Sequence, residues 1–218
     1  MNKAKLQRAV VTRLPRVLTD VLYSNHLEGN RKNIEYNDAI LKKTHIKFVG
    51  NGNRIVIQPG ARLTNCKFYI AGTDNTIIIG KDCRLTFAEF WTEESGNLIQ
   101  IGDKATVSGK CHFAAIEGTK ILVGEDCMFS SEIVVQTGDS HSIIQNDCRV
   151  NPSKDIIFGS HVWVGQRVTI LKGSVIPHSS IIGAGALVTR EFTKNGCIIA
   201  GVPAKVLKEN ITWKRERI

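Results

Sequence analysis

A repeat of 22 residues runs through the first half of the chain. Four successive segments starting at Asn53 align without gaps, and their apolar positions recur six residues apart. The three aligned columns are apolar at every position: Ile57, Ile79, Ile101 and Val123; Leu63, Leu85, Val107 and Phe129; Tyr69, Trp91, Phe113 and Val135. A spacing of six fits neither an amphipathic helix nor the alternation of one long strand, so it predicts short strands joined by tight turns.

The same spacing continues in the second half of the chain. The period positions there are also apolar: Phe158, Val164, Ile170, Ile176, Ile182 and Val188. Three such strands close one triangular coil, and each coil buries its apolar side chains against the neighbouring coils. We therefore predict a mainly β fold, a parallel β-helix over residues 51–203, in preference to an ordinary β-sandwich.

The two ends of the chain lie outside the repeat. Residues 1–50 are predicted to form an N-terminal helical cap, with one helix over residues 2–13 that Pro15 ends and another near Val17–Tyr23. The cap protects the open edge of the first coil, which otherwise pairs with other chains. Residues 204–218 are predicted to form a C-terminal tail with a short helix over residues 204–212.

Charge and composition narrow the range of partners and compartments. The net charge of +9 resides at the ends, because residues 46–189 contain thirteen basic and thirteen acidic residues. Without a continuous basic face, nucleic-acid binding is not expected. Solvated tails and attraction to an anionic polymer or membrane surface both stay open. No apolar run is long enough to span a membrane, and no secretory signal is recognisable. The six cysteines have no metal-binding spacing, so we interpret them as free thiols. We therefore expect a cytoplasmic protein, and peripheral contact with the inner face of the membrane stays open.

One insertion interrupts the repeat. Val123 aligns with Phe158 at an offset of 35 residues, 13 more than the usual 22, which predicts an extruded loop over about residues 138–155. Loops held by a rigid scaffold often carry function. This one contains His141, and a neutral imidazole can accept the proton of a hydroxyl group. Asp139 is a candidate to orient that imidazole. A solvated loop histidine and a turn aspartate are the alternatives.

Trp163 lies one position before the period residue Val164, so its side chain should point outward. An exposed tryptophan on a solenoid is unfavourable unless something covers it. This residue has three interpretations: it lines the functional site, it forms a contact between subunits, or it packs beneath the loop.

The string from Ser160 to Lys208, which contains SHVWVG and ends in AGVPAKVLK, resembles the hexapeptide-repeat acyltransferases. The resemblance covers about residues 50–208. With the loop sequence GDSHSI, the chain looks most like the bacterial capsule and cell-surface polysaccharide O-acetyltransferases. Ser142 follows the candidate histidine, where the maltose and galactoside types of the family have proline. The resemblance implies a left-handed β-helix, a homotrimer, a catalytic His141 that reaches a neighbouring subunit, and a Trp163 that lines the site.

The resemblance also implies acetyl-CoA as co-substrate, with no metal. Bare backbone at Gly183-Ala184-Gly185 lets a pantetheine arm approach closely. The other positions implied to bind the cofactor are Thr189, Arg190, Pro203, Lys205 and Lys208, of which the cationic ones offer charge to the phosphates. The turn Lys172-Gly173 is a candidate to stabilise the thioester oxyanion through a backbone N–H. Ordinary coil turns and a basic tail are the alternative interpretation.

These observations predict an acetyl-CoA-dependent O-acetyltransferase that acts on a bacterial capsular or cell-surface polysaccharide or on its sugar precursor. His141 acts as general base for direct attack in a ternary complex. Two alternatives stay open, namely N-acetylation of an amino nucleotide-sugar and a non-catalytic solenoid that binds sugars or serves as a scaffold. Zinc-dependent carbonic anhydrases share the implied fold, but the histidines here lack that family's local spacing.

Overall fold

The computed structural model of the chain describes residues 16–36 and 38–218. Within this part of the chain, helix α1 spans Arg16–Leu22 and a 3-10 turn spans Arg31–Asn33, while strands account for most of the remaining regular structure. The mainly β fold and the helix near residues 17–23 are therefore confirmed. The helix predicted over residues 2–13 lies outside the described residues.

The strands stack into three sheets, A, B and C, which form the sides of a β-helix. Sheet A consists of β1 (His26–Glu28), β4 (His45–Val49), β7 (Lys67–Ala71), β10 (Ala88–Glu93), β13 (Cys111–Ile116), β16 (Ile133–Gln136), β21 (Thr169–Leu171) and β24 (Leu187–Val188). Sheet B consists of β2 (Ile34–Tyr36), β5 (Arg54–Ile57), β8 (Thr76–Ile79), β11 (Leu98–Ile101), β14 (Lys120–Val123), β19 (Ile156–Phe158) and β22 (Val175–Ile176). Sheet C consists of β3 (Ile40–Lys42), β6 (Arg62–Thr64), β9 (Arg84–Thr86), β12 (Thr106–Val107), β15 (Met128–Phe129), β20 (Trp163–Val164), β23 (Ile181–Ile182), β25 (Ile198–Gly201) and β26 (Ala204–Lys208).

Strand register explains the 22-residue repeat. In sheet B, Ile57 pairs with Ile79 and Ile101 pairs with Val123, each pair 22 residues apart and parallel. All members of the first two apolar columns and of the second-half column are buried. Each coil thus stacks its aliphatic side chains on those of the next coil, as the spacing predicts.

The third apolar column is correct in only two of its four rows. Phe113 and Val135 are buried, but Tyr69 and Trp91 point outward, and Phe68 and Phe90 take the inner positions. The turn before sheet A is one residue shorter in the earlier coils, so Phe90 pairs with Phe113 at an offset of 23. The prediction that Trp91 lies in the core is wrong for this reason.

A ladder of buried polar side chains follows the corner between sheets A and B. Asn75 accepts hydrogen bonds from the backbone N–H of Asn97 at 2.9 Å and from its Nδ2 at 2.8 Å, and Asn53 accepts equivalent bonds from Asn75. The ladder continues through Thr119 to Thr137, whose Oγ1 atoms lie 2.6 Å apart. These bonds satisfy backbone groups that the sharp corner withdraws from the sheets.

Close stacking also determines the residue type at this corner. Gly72 has a φ of +98°, and a Cβ atom there would lie 1.6 Å from the carbonyl oxygen of Glu94 in the next coil. Only glycine tolerates both the backbone conformation and the contact.

The ends of the solenoid differ from the prediction. The sheets begin with β1, so the first coil starts near residue 26 and not at residue 51. The C-terminal helix predicted over residues 204–212 is wrong, because Ala204–Lys208 forms β26, which pairs antiparallel with β25. The returning strand satisfies the free hydrogen-bonding edge of the last coil, which a helix would leave open.

Candidate functional site

The predicted loop leaves the solenoid at the same corner as the polar ladder. It connects β16 in sheet A to β19 in sheet B, directly after the last ladder residue, Thr137. Parallel pairing of Val123 with Phe158 confirms the 35-residue offset. Within the loop, β17 (Ile144–Gln145) and β18 (Cys148–Arg149) form an antiparallel hairpin.

Asn151 fixes the shape of the loop. The residue is 7% exposed, and its side chain donates hydrogen bonds to Asp139 Oδ2 at 2.7 Å and to the carbonyl oxygen of His141 at 2.8 Å. Its Oδ1 accepts a bond from the backbone N–H of Ile143 at 2.7 Å. A single amide therefore ties both sides of His141 to the loop stem. Asn151 directly precedes Pro152, and no spacing in the sequence marks it as a residue of the site.

The carboxylate of Glu117 anchors the hairpin to the preceding coil. Its oxygens accept bonds from the Arg149 guanidinium at 2.6 and 3.0 Å and from the Ser153 hydroxyl at 2.7 Å. Arg149 first, and then Ser153, lower the pKa of Glu117 to about 2. The carboxylate is therefore ionised, and its ion pair present, throughout the physiological range.

Asp139 does not orient the imidazole of His141 in the single chain. Its carboxylate pairs with Lys172 Nζ and accepts the Asn151 bond, and both partners, Lys172 foremost, lower the pKa of Asp139. Lys172 also donates to the carbonyl oxygen of Asn151 at 3.1 Å. Lys172, predicted to bind cofactor, thus braces the loop together with Asp139. Among the described residues, no hydrogen bond or ion pair engages the exposed imidazole of His141.

Gly173 differs from its predicted role as an oxyanion donor. Its backbone N–H already donates to the carbonyl oxygen of Asp155 at 3.1 Å. Its φ of +76° suits the turn between β21 and β22, and its N–H bond ties this turn to the end of the loop at Asp155. An oxyanion would have to displace this bond.

Trp163 lies on β20 with its side chain outward and 39% exposed, as predicted. Its ring centroid is 6.2 Å from that of Trp213, which is buried and anchors the C-terminal tail. The Trp213 ring stacks on His161 at 4.1 Å and its indole N–H donates to the carbonyl oxygen of His161 at 2.8 Å.

His161 is therefore an anchor of the C-terminal tail. It bonds Asp126 Oδ2 at 2.7 Å, and Arg215 donates to the other oxygen of that carboxylate at 2.9 Å. Burial opposes the charge on Asp126, but the bonds from His161 and Arg215 still lower the pKa of Asp126. The tail is thereby held beside Trp163.

The structure divides the predicted cofactor residues between separate sides of the β-helix. Lys172, Gly173, Thr189 and Arg190 lie at or near the corner between sheets A and B, close to the loop. The remaining positions lie beyond sheet C, in the turn between β23 and β24 or on the β25–β26 hairpin: Gly183, Ala184, Gly185, Pro203, Lys205 and Lys208.

Glycines and lysines of the second group form an accessible strip. A Cβ atom at Gly183 would lie 2.7 Å from the Cβ of Ala200, whereas Gly185, with a φ of +71°, faces open space. Lys205 pairs with Ala200 across the hairpin, and its side chain is exposed, as is that of Lys208. Bare backbone and nearby cations are thus present where an extended phosphorylated ligand could lie.

His141 and Trp163 are not brought together within one chain. The loop leaves the corner between sheets A and B, whereas Trp163 lies on the outer face of sheet C. No contact joins these two side chains in the described part of the chain. Any site that uses both of them requires a second copy of the chain.

The cysteines contribute packing. Burial raises the pKa of Cys83, Cys111 and Cys127 to about 12, which suppresses the reactive thiolate. Cys148 is exposed on the hairpin.

In the described residues, no three histidine, cysteine or acidic side chains lie together as a metal-binding group. No helix in this part of the chain has the length and apolarity to cross a membrane.

The Asn151 contacts lead to a first prediction. Replacing Asn151 with alanine should raise the exchange rate of the Ile143 amide hydrogen about 10- to 100-fold, because that N–H loses its acceptor and the loop loses the two bonds that the Asn151 amide donates. Hydrogen exchange followed by NMR measures this. Gln145→Ala, which removes an exposed amide from the same hairpin, should leave the rate unchanged. An equal effect of both variants would contradict the role of Asn151.

Similar proteins combine this fold with acetyl transfer. A polysialic acid O-acetyltransferase of Escherichia coli O1:K1 / APEC is 37% identical over 97 residues, which cover 44% of this chain and 31% of that protein. The protein of the same description from Neisseria meningitidis is 34% identical over 113 residues, covering 51% and 53%. The crystal structure of the polySia specific acetyltransferase NeuO matches with a TM-score of 0.80 and 29% identity over 88% of both chains.

The extent of these similarities differs. The chain spans about a third and about half of the lengths of the two curated relatives, whereas the structural match extends over most of both molecules. No family model matches the chain. The β-solenoid is thus shared along nearly the whole described chain.

Proposed function

We propose that the chain, which is a homologue of the hexapeptide-repeat acetyltransferases, transfers an acetyl group from acetyl-CoA to a hydroxyl group of a bacterial surface polysaccharide or of its sugar precursor. The observation that supports this most directly is the extruded loop. It presents an exposed histidine from a rigid corner, and Asn151, Lys172 and Glu117 brace its stem. A preorganised base is what such a transfer requires.

His141 takes the proton of the acceptor hydroxyl while that oxygen attacks the thioester carbonyl carbon. The new C–O bond forms, the C–S bond breaks, and the proton passes from the imidazolium to the departing thiolate. Acetyl ester and free coenzyme A are the products, and no acyl-enzyme is needed. The chain contains no G-x-S-x-G nucleophile motif that would favour one.

Assembly completes the proposed site. Because His141 and Trp163 lie on different sides of the β-helix, the loop of one subunit would meet sheet C of a neighbouring subunit. The same arrangement would bring Thr189 and Arg190 near the accessible strip of glycines and lysines on the adjacent subunit, with acetyl-CoA between them. A closed homotrimer provides this relation three times over.

The acceptor in this proposal is a carbohydrate, either a surface polysaccharide or its sugar precursor. Both curated relatives carry names that specify polysialic acid, an anionic polymer. The basic excess at both ends of this chain is suited to attract such a polymer. All six cysteines are free thiols, which fits a reducing compartment, so we propose a cytoplasmic location. The basic ends of the chain are compatible with peripheral contact with the membrane.

Calorimetric titration with acetyl-CoA tests the proposal. We expect saturable binding of one ligand per chain, weakened about 10-fold when Lys205 and Lys208 are both changed to glutamine, because two phosphate contacts are lost. The matched variant Lys104→Gln, on a different corner, should bind normally. An absence of binding to millimolar acetyl-CoA would remove the transferase function. If binding is present, a panel of hydroxyl and amino sugars distinguishes O-acetylation from N-acetylation.

A further inference from the structure

An outward-facing row on sheet A leads to the loop. Register places Lys47, Tyr69, Trp91, Ala114 and Gln136 side by side in successive coils. The rings of Tyr69 and Trp91 stack with centroids 4.1 Å apart. The row ends at Gln136, immediately before the chain departs into the loop.

Ala114 leaves a gap in this row. Its methyl group stands between the indole of Trp91 and the side chain of Gln136, and a cavity of about 330 Å³ opens above it. Glu93 and Ser140 also line the cavity. Because Ser140 directly precedes His141, the cavity lies beside the proposed base.

The groups around this cavity suit a sugar ring. An aromatic face packs against the C–H surface of a pyranose, and Trp91 offers a half-buried one. The carboxylate of Glu93, the amide of Gln136 and the hydroxyl of Ser140 can exchange hydrogen bonds with sugar hydroxyl groups. An apolar wall with a few convergent polar groups is typical of small-ligand sites.

A second cavity extends this surface. It has a volume of about 390 Å³, and His112 lines both cavities. Its other lining residues include the half-exposed Phe87, two lysines and two glutamates, namely Lys67, Lys110, Glu89 and Glu132. The two cavities together follow the length of β10, which at the usual rise is about 20 Å. This length suits several linked sugar rings better than a single monosaccharide.

We propose that the outer face of sheet A binds the polymeric carbohydrate acceptor, with one ring over Ala114 against Trp91 and the chain continuing past His112 toward Phe87. The proposal rests on the proposed transferase function and specifies its acceptor as a polymer rather than a free sugar precursor. The ring over Ala114 would present its hydroxyl group to His141 of the same subunit.

Filling the cavity tests the inference. Ala114→Ile places a branched side chain where the ring would lie, so KM for polysialic acid should rise at least about 10-fold, in line with the loss of a ring-sized contact. The dissociation constant of acetyl-CoA should not change. Gln100→Ile introduces the same side chain on the outer face of sheet B, so it is the control and should keep both values. An unchanged KM for Ala114→Ile would overturn the proposal.

Tryptophan fluorescence supplies a readout that does not need catalysis. Polysialic acid and the neutral polymer dextran are added without acetyl-CoA to the wild-type protein and to Trp91→Phe. We expect at least one polymer to give a saturable change that the variant lacks, and long chains to bind more tightly than short ones. Trp91-dependent binding together with failure to bind acetyl-CoA would defeat only the transferase function. The absence of any Trp91-dependent fluorescence change would overturn the acceptor site. So would a failure of acrylamide to quench the fluorescence of Trp91, because it would mean that a second copy of the chain covers this residue.

Discussion

His141→Ala should lower kcat by about 10²- to 10⁴-fold, which is the usual contribution of a positioned general base. The acceptor hydroxyl has a pKa far above neutrality, so its attack on the thioester depends on a group that takes the proton as the bond forms. Since the imidazole is exposed and has no bonding partner among the described residues, its removal should leave the loop intact. The dissociation constant of acetyl-CoA should therefore remain that of the wild type. Steady-state kinetics and calorimetry on the same preparations measure the two effects.

Two further variants make this prediction specific. His45→Ala removes an exposed histidine from β4, far from the loop in sequence and in sheet order, and should keep full activity. His141→Gln retains a polar side chain of similar reach but cannot accept and release the proton, so it should be as inactive as the alanine variant. Wild-type kcat in either His141 variant would refute the assignment of the base.

The solenoid could be predicted from the sequence because its repeating unit is short and its interior is narrow. Each inward position must be apolar or small, so the pattern recurs every coil, and the 35-residue offset revealed the inserted loop. The prediction for the third column is wrong at Tyr69 and Trp91, because a turn can lose one residue without disturbing the coil. A shift by one residue reverses the direction of every side chain in the strand that follows. That error concealed the aromatic surface on sheet A.

The details of the site were less accessible from the sequence. The predicted loop carries His141, but its geometry depends on Asn151, Glu117 and Lys172, which lie 10 to 31 residues away from it along the chain. No local spacing signals such contacts. Asp139 was expected to orient the imidazole of His141, yet its carboxylate forms an ion pair with Lys172 instead. The C-terminal helix failed because an open sheet edge favoured a strand over the local pattern of residues 204–212.

The polar ladder leads to the largest expected effect on stability. Asn75→Ala should lower the free energy of unfolding by about 3 to 5 kcal/mol, near the upper end for a single substitution, because it breaks a buried network. The Asn75 side chain is fully buried and forms bonds to Asn53, to Asn97 and to the carbonyl oxygens of Ala71 and Glu94. Alanine would leave these groups unsatisfied and without access to water, and each costs about 1 to 3 kcal/mol in that state, with partial relief from relaxation.

Chemical denaturation monitored by circular dichroism measures the change, with Gln100→Ala as the control. Gln100 is an exposed amide on the outer face of β11 in the next coil, and its loss should alter stability by less than about 0.5 kcal/mol. The ladder passes through Asn97 and Thr119 to Thr137 at the stem of the loop, so Asn75→Ala should also raise amide hydrogen exchange at Thr137. Equal stability of the two variants would mean that the corner does not depend on its buried amides. A loss of stability without faster exchange at Thr137 would mean that the ladder supports the coils but not the loop.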